Sequence, residues 1–235
     1  MRALLIGATV AAVLAVGPAV AADMPLKAAP PAAAYNWSGI YFGGTGGVGR
    51  LRTEWDYFNA GTFPSPNPTD DATWVGGGFV GIQWQTGNWV FGAEANWIAT
   101  GLETSAACPN TVFNCVVNLN DYWTAGARVG YVMWNSLWYV TGGYAEGKIE
   151  TSTPRRATGV NFDTSSERHP GWFIGAGAEF VVPNTGFIFG VEYDHVQFDT
   201  KTHNPTPFLA SEVRNIRADV DTFRARLSYK FNLWR

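Results

Sequence analysis

Hydrophobic and polar residues alternate most clearly between Gly77 and Trp97. Val80, Ile82 and Trp84 interleave with Gly81, Gln83 and Gln85, and Trp89, Phe91, Ala93, Ala95 and Trp97 interleave with Val90, Gly92, Glu94 and Asn96. A period of two on both sides of Thr86-Gly87-Asn88 predicts two antiparallel strands joined by a tight turn, with Gly87 and Asn88 supplying positive φ. One face of this hairpin is large and aromatic. The other mixes glycine, amides and a carboxylate, which is the inverse of a water-facing sheet, so the pattern reads as lipid outside and a polar interior inside a closed barrel.

The same alternation recurs along the chain. A first strand over Trp37–Gly49 places Ile40, Phe42 and Val48 on one side and Tyr41 and Thr45 on the other. Tyr122–Tyr131 turns Trp123, Ala125, Ala127, Val129 and Tyr131 outward, and Leu137–Gly147 does so with Trp138, Val140 and Tyr144. Trp172–Phe180 presents Ile174, Ala176, Ala178 and Phe180, and Phe187–Phe198 presents Phe187, Phe189, Val191 and Tyr193, with Glu192 and Asp194 inward. Val220–Phe231 presents Phe223, Ala225, Leu227, Tyr229 and Phe231, with Lys230 inward. The prediction is all-β: an eight-stranded antiparallel up-and-down transmembrane barrel. Its connections alternate between long polar segments (50–73, 100–121, 148–171, 199–219) and tight turns (86–88, 133–136, 183–186). Short turns inside and long loops outside is the arrangement of an outer-membrane barrel with both termini on the short-turn side. A soluble calyx would keep its apolar residues inward.

Ahead of the barrel, Met1–Ala21 combines Arg2, an apolar run and Ala19-Val20-Ala21, which reads as a cleaved secretory signal. Residues 22–36, with Pro25, Pro30 and Pro31 among alanines, read as a semi-rigid periplasmic linker, and 37–235 as the barrel. Nowhere else do about 20 consecutive apolar residues occur to form a spanning helix. Gly44-Thr45-Gly46-Gly47-Val48-Gly49 fits G-x-G-x-x-G, with Asp70 at the distance of a ribose-binding acid. That motif binds a dinucleotide only where a helix follows, and the prolines at 64, 66 and 68 oppose one. The glycines are therefore read as room for bulky neighbours in a curved strand, and no cofactor is expected.

Composition supports this reading. Charged residues make up 15% of the 235 residues, against roughly 25% in soluble proteins. The mean hydropathy of −0.05 is what strands alternating between lipid and lumen produce. A formal net charge of −3 gives no basis for nucleic-acid binding.

Few residues suggest chemistry. Cys108 and Cys115, close together in an exported chain, are expected to form a disulfide worth about 2 kcal/mol in the chain-entropy picture. His169, His203 and His195 are scattered. A rim cluster of Asp194, His195, Asp199 and His203 matches no rigid metal-ligand spacing, so no metal site is assigned. With no G-x-S-x-G elbow and no Ser-His-Asp spacing, an enzyme is not expected. The sharper constellation is the inward set Glu94, Arg128, Glu179, Glu192, Arg224 and Arg226. Charges in a narrow barrel must pair or meet water, so this set is read as a network that fills the lumen, ahead of a selectivity filter.

Trp37-Ser38-Gly39-Ile40-Tyr41-Phe42-Gly43-Gly44, the 77–94 hairpin, Arg128-Val129-Gly130-Tyr131, Val140-Thr141-Gly142-Gly143, Gly175-Ala176-Gly177-Ala178-Glu179 and Glu192-Tyr193 together carry a family likeness. The sequence resembles the small porin-like, opacity-type outer-membrane β-barrels of Gram-negative bacteria, from about Trp37 to Phe231. The resemblance implies a surface-exposed, often antigenic envelope protein with structural or limited pore roles. The four long loops give the alternative, a surface module that binds through them. Expected partners are outer-membrane lipid and lipopolysaccharide, the barrel assembly machinery, and a host or small-molecule ligand at the loops. One departure is the end: such barrels commonly finish on an outward aromatic, whereas Asn232-Leu233-Trp234-Arg235 runs past Phe231.

Overall fold

Antiparallel pairing carries the chain around a complete ring. The computed structural model describes residues 35–57, 61–64, 73–108, 110–183, 185–204, 206 and 213–231. Its strands are β1 (Gly39–Tyr57), β2 (Gly61–Pro64), β3 (Thr73–Thr86), β4 (Trp89–Ala107), β5 (Asn114–Met133), β6 (Ser136–Pro154), β7 (Asn161–Val181), β8 (Phe187–His203) and β9 (Arg214–Phe231). Each long strand pairs with its neighbour, and β1 closes on β9 from Ile40↔Phe231 to Tyr57↔Arg214. Eight strands form the ring, and β2 is a short return strand paired with the end of β1. The sequence reading placed β2 within a loop. The expected signal at 1–21, most of the expected linker at 22–36, Asp70 and residues 232–235 lie outside the described residues.

At the Gly87-Asn88 turn only Gly87 has positive φ, at 59°, so the expectation for Asn88 is corrected. A single left-handed residue in the first central position is what a type II′ hairpin requires. The turn after β5 puts Trp134 there instead, at φ 54°.

The outward faces follow the alternation: Phe42, Trp84, Trp97, Trp138, Val140, Ile174, Phe189 and Phe223 all project from the wall. The strands are far longer than predicted, from 14 residues in β3 to 21 in β7, where a bilayer needs only about 9–11. Most of the segments expected to be loops are strand. The reason they read as loops is a change of phase. In the lower part of β9, Phe223, Leu227 and Phe231 face out and Arg224 and Arg226 face in. Above them Ile216, Ala218 and Val220 are buried inside, while Arg217 stays outside. β1 changes likewise, with Leu51 and Trp55 inward beyond Val48. Below the change the wall faces hydrocarbon; above it the wall faces water, so apolar groups gain by pointing in.

The interior is accordingly not polar throughout, as the sequence suggested. Its outer half is an apolar core of Leu51, Val75, Ile98, Leu102, Val117, Leu119, Ile149, Phe173, Val196, Phe198 and their neighbours. Register shifts interrupt β5 between Leu119 and Asp121 and β8 between Phe198 and Lys201. Each bulge inserts an unpaired residue and reverses which side chains face the lumen above it.

Candidate functional site

The middle of the lumen holds a layer of ions contributed by five strands. Glu94 on β4, Arg128 on β5, Glu179 on β7, Glu192 on β8, and Arg224 and Arg226 on β9 are all buried, as strand alternation directs them inward. Arg226 holds Glu94 in a two-pronged contact, Nη2 to Oε2 at 2.6 Å and Nη1 to Oε1 at 2.9 Å. Its Nη1 also reaches Glu192 Oε2 at 2.5 Å. Arg128 bridges Glu94 at 3.2 Å and Glu179 at 3.0 Å. Arg224 bonds Glu192 Oε1 at 2.6 Å and also engages Asp194. The six residues singled out from the sequence thus lie in one connected network.

Sequence reading missed three partners. Tyr41 donates its hydroxyl to Glu94 at 2.8 Å, and Tyr139 donates to Glu192 at 2.6 Å. Asp194, read as inward but grouped with a possible rim cluster, belongs to this layer through Arg224. The guanidinium of Arg128 lies 3.8 Å from the Tyr139 ring centre, and that of Arg226 lies 3.9 Å from the Phe79 ring centre. Inward glycines leave space for these rings: a Cβ at Gly81 would strike Tyr41, and one at Gly177 would strike Tyr139. Pairs of this kind, charge-assisted and stacked on aromatic faces, are how buried guanidinium groups are accommodated.

Below the ions, Trp37 is fully buried with Val90, Leu137, Tyr139 and Ile188. Its backbone is pinned on both sides, the N–H donating to Gln85 Oε1 at 2.9 Å and the carbonyl accepting from Gln83 Nε2 at 2.9 Å. Lys230 Nζ donates to the carbonyls of Asn36 and Ser38 at 2.6 and 3.1 Å and sits 4.7 Å from the Tyr35 ring centre. The segment leading into β1 therefore stoppers the short-turn mouth.

Above the ions lies the apolar core, and above that a second buried polar layer. There Arg214 pairs with Asp163 at 2.8 Å and His169 meets His203, while Thr53 meets Thr104 at 3.0 Å within the core, between Leu51 and Trp55 of β1. Cys108 and Cys115 are joined by a disulfide at the outer end of the apolar core. The rim cluster of Asp194, His195, Asp199 and His203 does not assemble: Asp194 faces Arg224, His195 bonds Asp221 on the outer wall at 2.8 Å, and His203 turns inward to His169. Gly44–Gly49 continues as strand through Tyr57.

On the outer wall above the membrane, a groove of about 630 Å³ is lined by Asn118, Glu150, Ser152, Thr164, Ser166, Asn204 and others. A hydrogen bond from Lys148 holds the Glu150 carboxyl below its usual value.

Comparison with known proteins agrees with this architecture. Residues 19–231 match the family model described as "outer membrane protein beta-barrel domain". The chain is 28% identical to the 31 kDa outer-membrane immunogenic protein of Brucella melitensis, over 95% of this chain and 98% of that one. It is 30% identical to a 22 kDa outer membrane protein of Rhizobium leguminosarum, over 75% of this chain and 71% of that one. Among solved structures it is similar to the outer membrane protease OmpT of Escherichia coli, with a TM-score of 0.48 and 11% identity over 84% of this chain and 98% of that one. A wall that is aromatic outside, a ring closed by β1 on β9, and a family match over nearly the whole chain lead to one conclusion: the chain belongs to the outer-membrane β-barrel protein family.

Proposed function

We propose that this barrel is a structural component of the outer membrane that contributes to envelope integrity and passes small solutes slowly at most. The observation that carries the reading is the filled lumen: ions locked across its middle, apolar packing above them and Trp37 below. Eight strands enclose little more than their own side chains, so the filling leaves no wide diffusion path. The aromatic wall supports a partnership with outer-membrane lipid and lipopolysaccharide, reached through the barrel assembly machinery. A non-enzymatic role is supported by the engagement of the buried carboxylates and imidazoles in contacts with one another and by relatives named for immunogenicity. Recording from single barrels in planar bilayers tests the reading: at neutral pH the expected trace is closed or flickers at low conductance. A steady, wide open level would overturn it.

A second reading, recognition of a host or small-molecule ligand at the surface, is favoured by the polar groove on the outer wall. Its amides, hydroxyls and carboxylates offer both donors and acceptors. Blocking the groove with Asn118→Trp and Thr164→Trp is expected to abolish binding of whole cells to a saccharide array while assembly continues. Unchanged binding removes this reading.

A further inference from the structure

Two histidines outside the ion network meet at the outer end of the interior. His169, in the middle of β7 and just beyond the last residue of that strand paired with β8, and His203, at the end of β8, are both fully buried, and their Nε2 atoms are 2.8 Å apart. His169 Nδ1 lies 3.0 Å from the carbonyl oxygen of Asp199. A carbonyl only accepts, so the proton of His169 sits on Nδ1 and its Nε2 is an acceptor. The hydrogen between the rings then belongs to His203 Nε2, and His203 Nδ1 is left to accept from the Thr151 hydroxyl at 3.5 Å. All four ring nitrogens are used with both rings neutral.

The groups around the pair give neither ring a carboxylate in direct contact; Glu167 and Asp199 act on His169 only from a distance. Thr151 faces it from β6. From β9, Arg214 reaches the same Thr151 oxygen at 3.1 Å and is itself occupied by Asp163 of β7 at 2.8 and 3.3 Å. From β8, Lys201 is bonded to the Arg168 carbonyl at 2.8 Å and pairs with Glu167 of β7 at 3.5 Å, while Asp199 offers its backbone oxygen. The carboxylates of Asp163 and Glu167 are thus engaged by other cations, and that of Asp199 is exposed to water, which screens its charge. Among the described residues no third His, Cys, Asp or Glu joins to make a metal site.

We propose that His169 and His203 form an acid-sensitive latch: neutral, their shared hydrogen bond ties the end of β8 to β7 beyond the last paired residues, Gly171 and Phe198, and keeps the outer mouth shut there, and protonated, it releases the end of β8. A first added proton places a charge with no carboxylate in contact with it in a buried layer beside Arg214. A second removes the acceptor, so that two N–H groups face each other across 2.8 Å. Burial, with His169 and Arg214 adding to it, pushes the His203 ring down to about 3, and burial lowers His169 as well. When the end of β8 parts from β7, the rings return to water and titrate near their ordinary value of about 6.5. Below that pH, opening is favoured about tenfold per pH unit for each ring that takes up a proton. The ion network lies deeper and is untouched, so the latch concerns the outer mouth alone and stands or falls separately from the closed lumen.

Hydrogen exchange on the whole protein in lipid nanodiscs, corrected for the intrinsic pH dependence of exchange, tests the latch. Between pH 7 and pH 5 the opening of amides at 163–171 and 199–204 should rise at least tenfold, while those at 89–98 and 223–231 do not change. The double variant His169→Gln/His203→Gln should lose this response, and the same acid response in that variant would overturn the proposal. If the variant does not assemble, imidazole nitrogen shifts of the unsubstituted protein decide: protonation tracking the rise in exchange upholds the latch. Rings that protonate without any rise in exchange, or no rise at all by pH 5, overturn it.

Discussion

Single residues here depend on what they leave behind when removed. Glu94 accepts from Arg226, Arg128 and Tyr41, so Glu94→Ala takes one carboxylate from each of two buried guanidinium groups, leaving Arg226 with Glu192 and Arg128 with Glu179. Loss of one partner from a buried ion pair costs about 3–5 kcal/mol. Tyr41→Phe removes one hydroxyl from a carboxylate that keeps its other partners and is expected to cost about 1–2 kcal/mol. Urea unfolding in lipid vesicles should rank Glu94→Ala well below Tyr41→Phe, and a reversed order would mean that the network does not hold the barrel. The inward direction of the six charges was legible in the sequence because alternation alone sets it. Tyr41 and Tyr139 were not recognised as their partners, because a tyrosine beside glycines signals only bulk until the opposite strand is known. His203 was illegible for a different reason: the bulge after Phe198 reverses its facing, and a strict period of two cannot carry a reading through an unpaired residue.

At the scale of elements, each strand has two environments end to end. Eight outward faces and the order of the strands could be read because aromatic residues in the membrane zone mark every second position. The outer halves could not, since there the apolar residues change sides and the exposed ones are charged, which mimics a loop. This difference predicts a sharp boundary along β6 and β9. Val140→Cys, on the hydrocarbon face, should resist a membrane-impermeant maleimide on intact cells, whereas Arg217→Cys should react readily. Labelling of both to the same extent would contradict the change of environment. An arginine in place of Val140 is expected to cost about 2–4 kcal/mol if that position lies near the bilayer midplane, where a lipid-facing charge is most expensive. On the same strand, Lys148 already carries a charge outside at no such cost because it stands in water beside Glu150 at 2.6 Å.

At the scale of the whole molecule, the ring is filled by alternating layers: a tryptophan stopper, an ionic belt, an apolar core and a polar cap. Each layer suits its neighbours, since ions are held only where partners converge, and the apolar core shields them from the water outside. Acid acts on the cap first. A histidine whose folded value is depressed adds stability that is complete above the unfolded value near 6.5, and this is lost as pH falls toward the folded one, about 3 for His203. Thermal unfolding in detergent is therefore expected to shift to lower temperature between pH 7 and pH 5, and the shift should shrink in His203→Gln. A midpoint independent of pH over that range would place the imidazoles outside the cooperative unit.

The strands that rise past the bilayer also decide what an immune system would meet. Neighbouring outward residues such as Asn118, Glu150 and Ser166 come from three different stretches of chain and are brought side by side only by strand pairing. Antibodies raised against assembled barrels would accordingly recognise mosaics that no linear peptide from 148–171 reproduces, and boiling the antigen would erase their target.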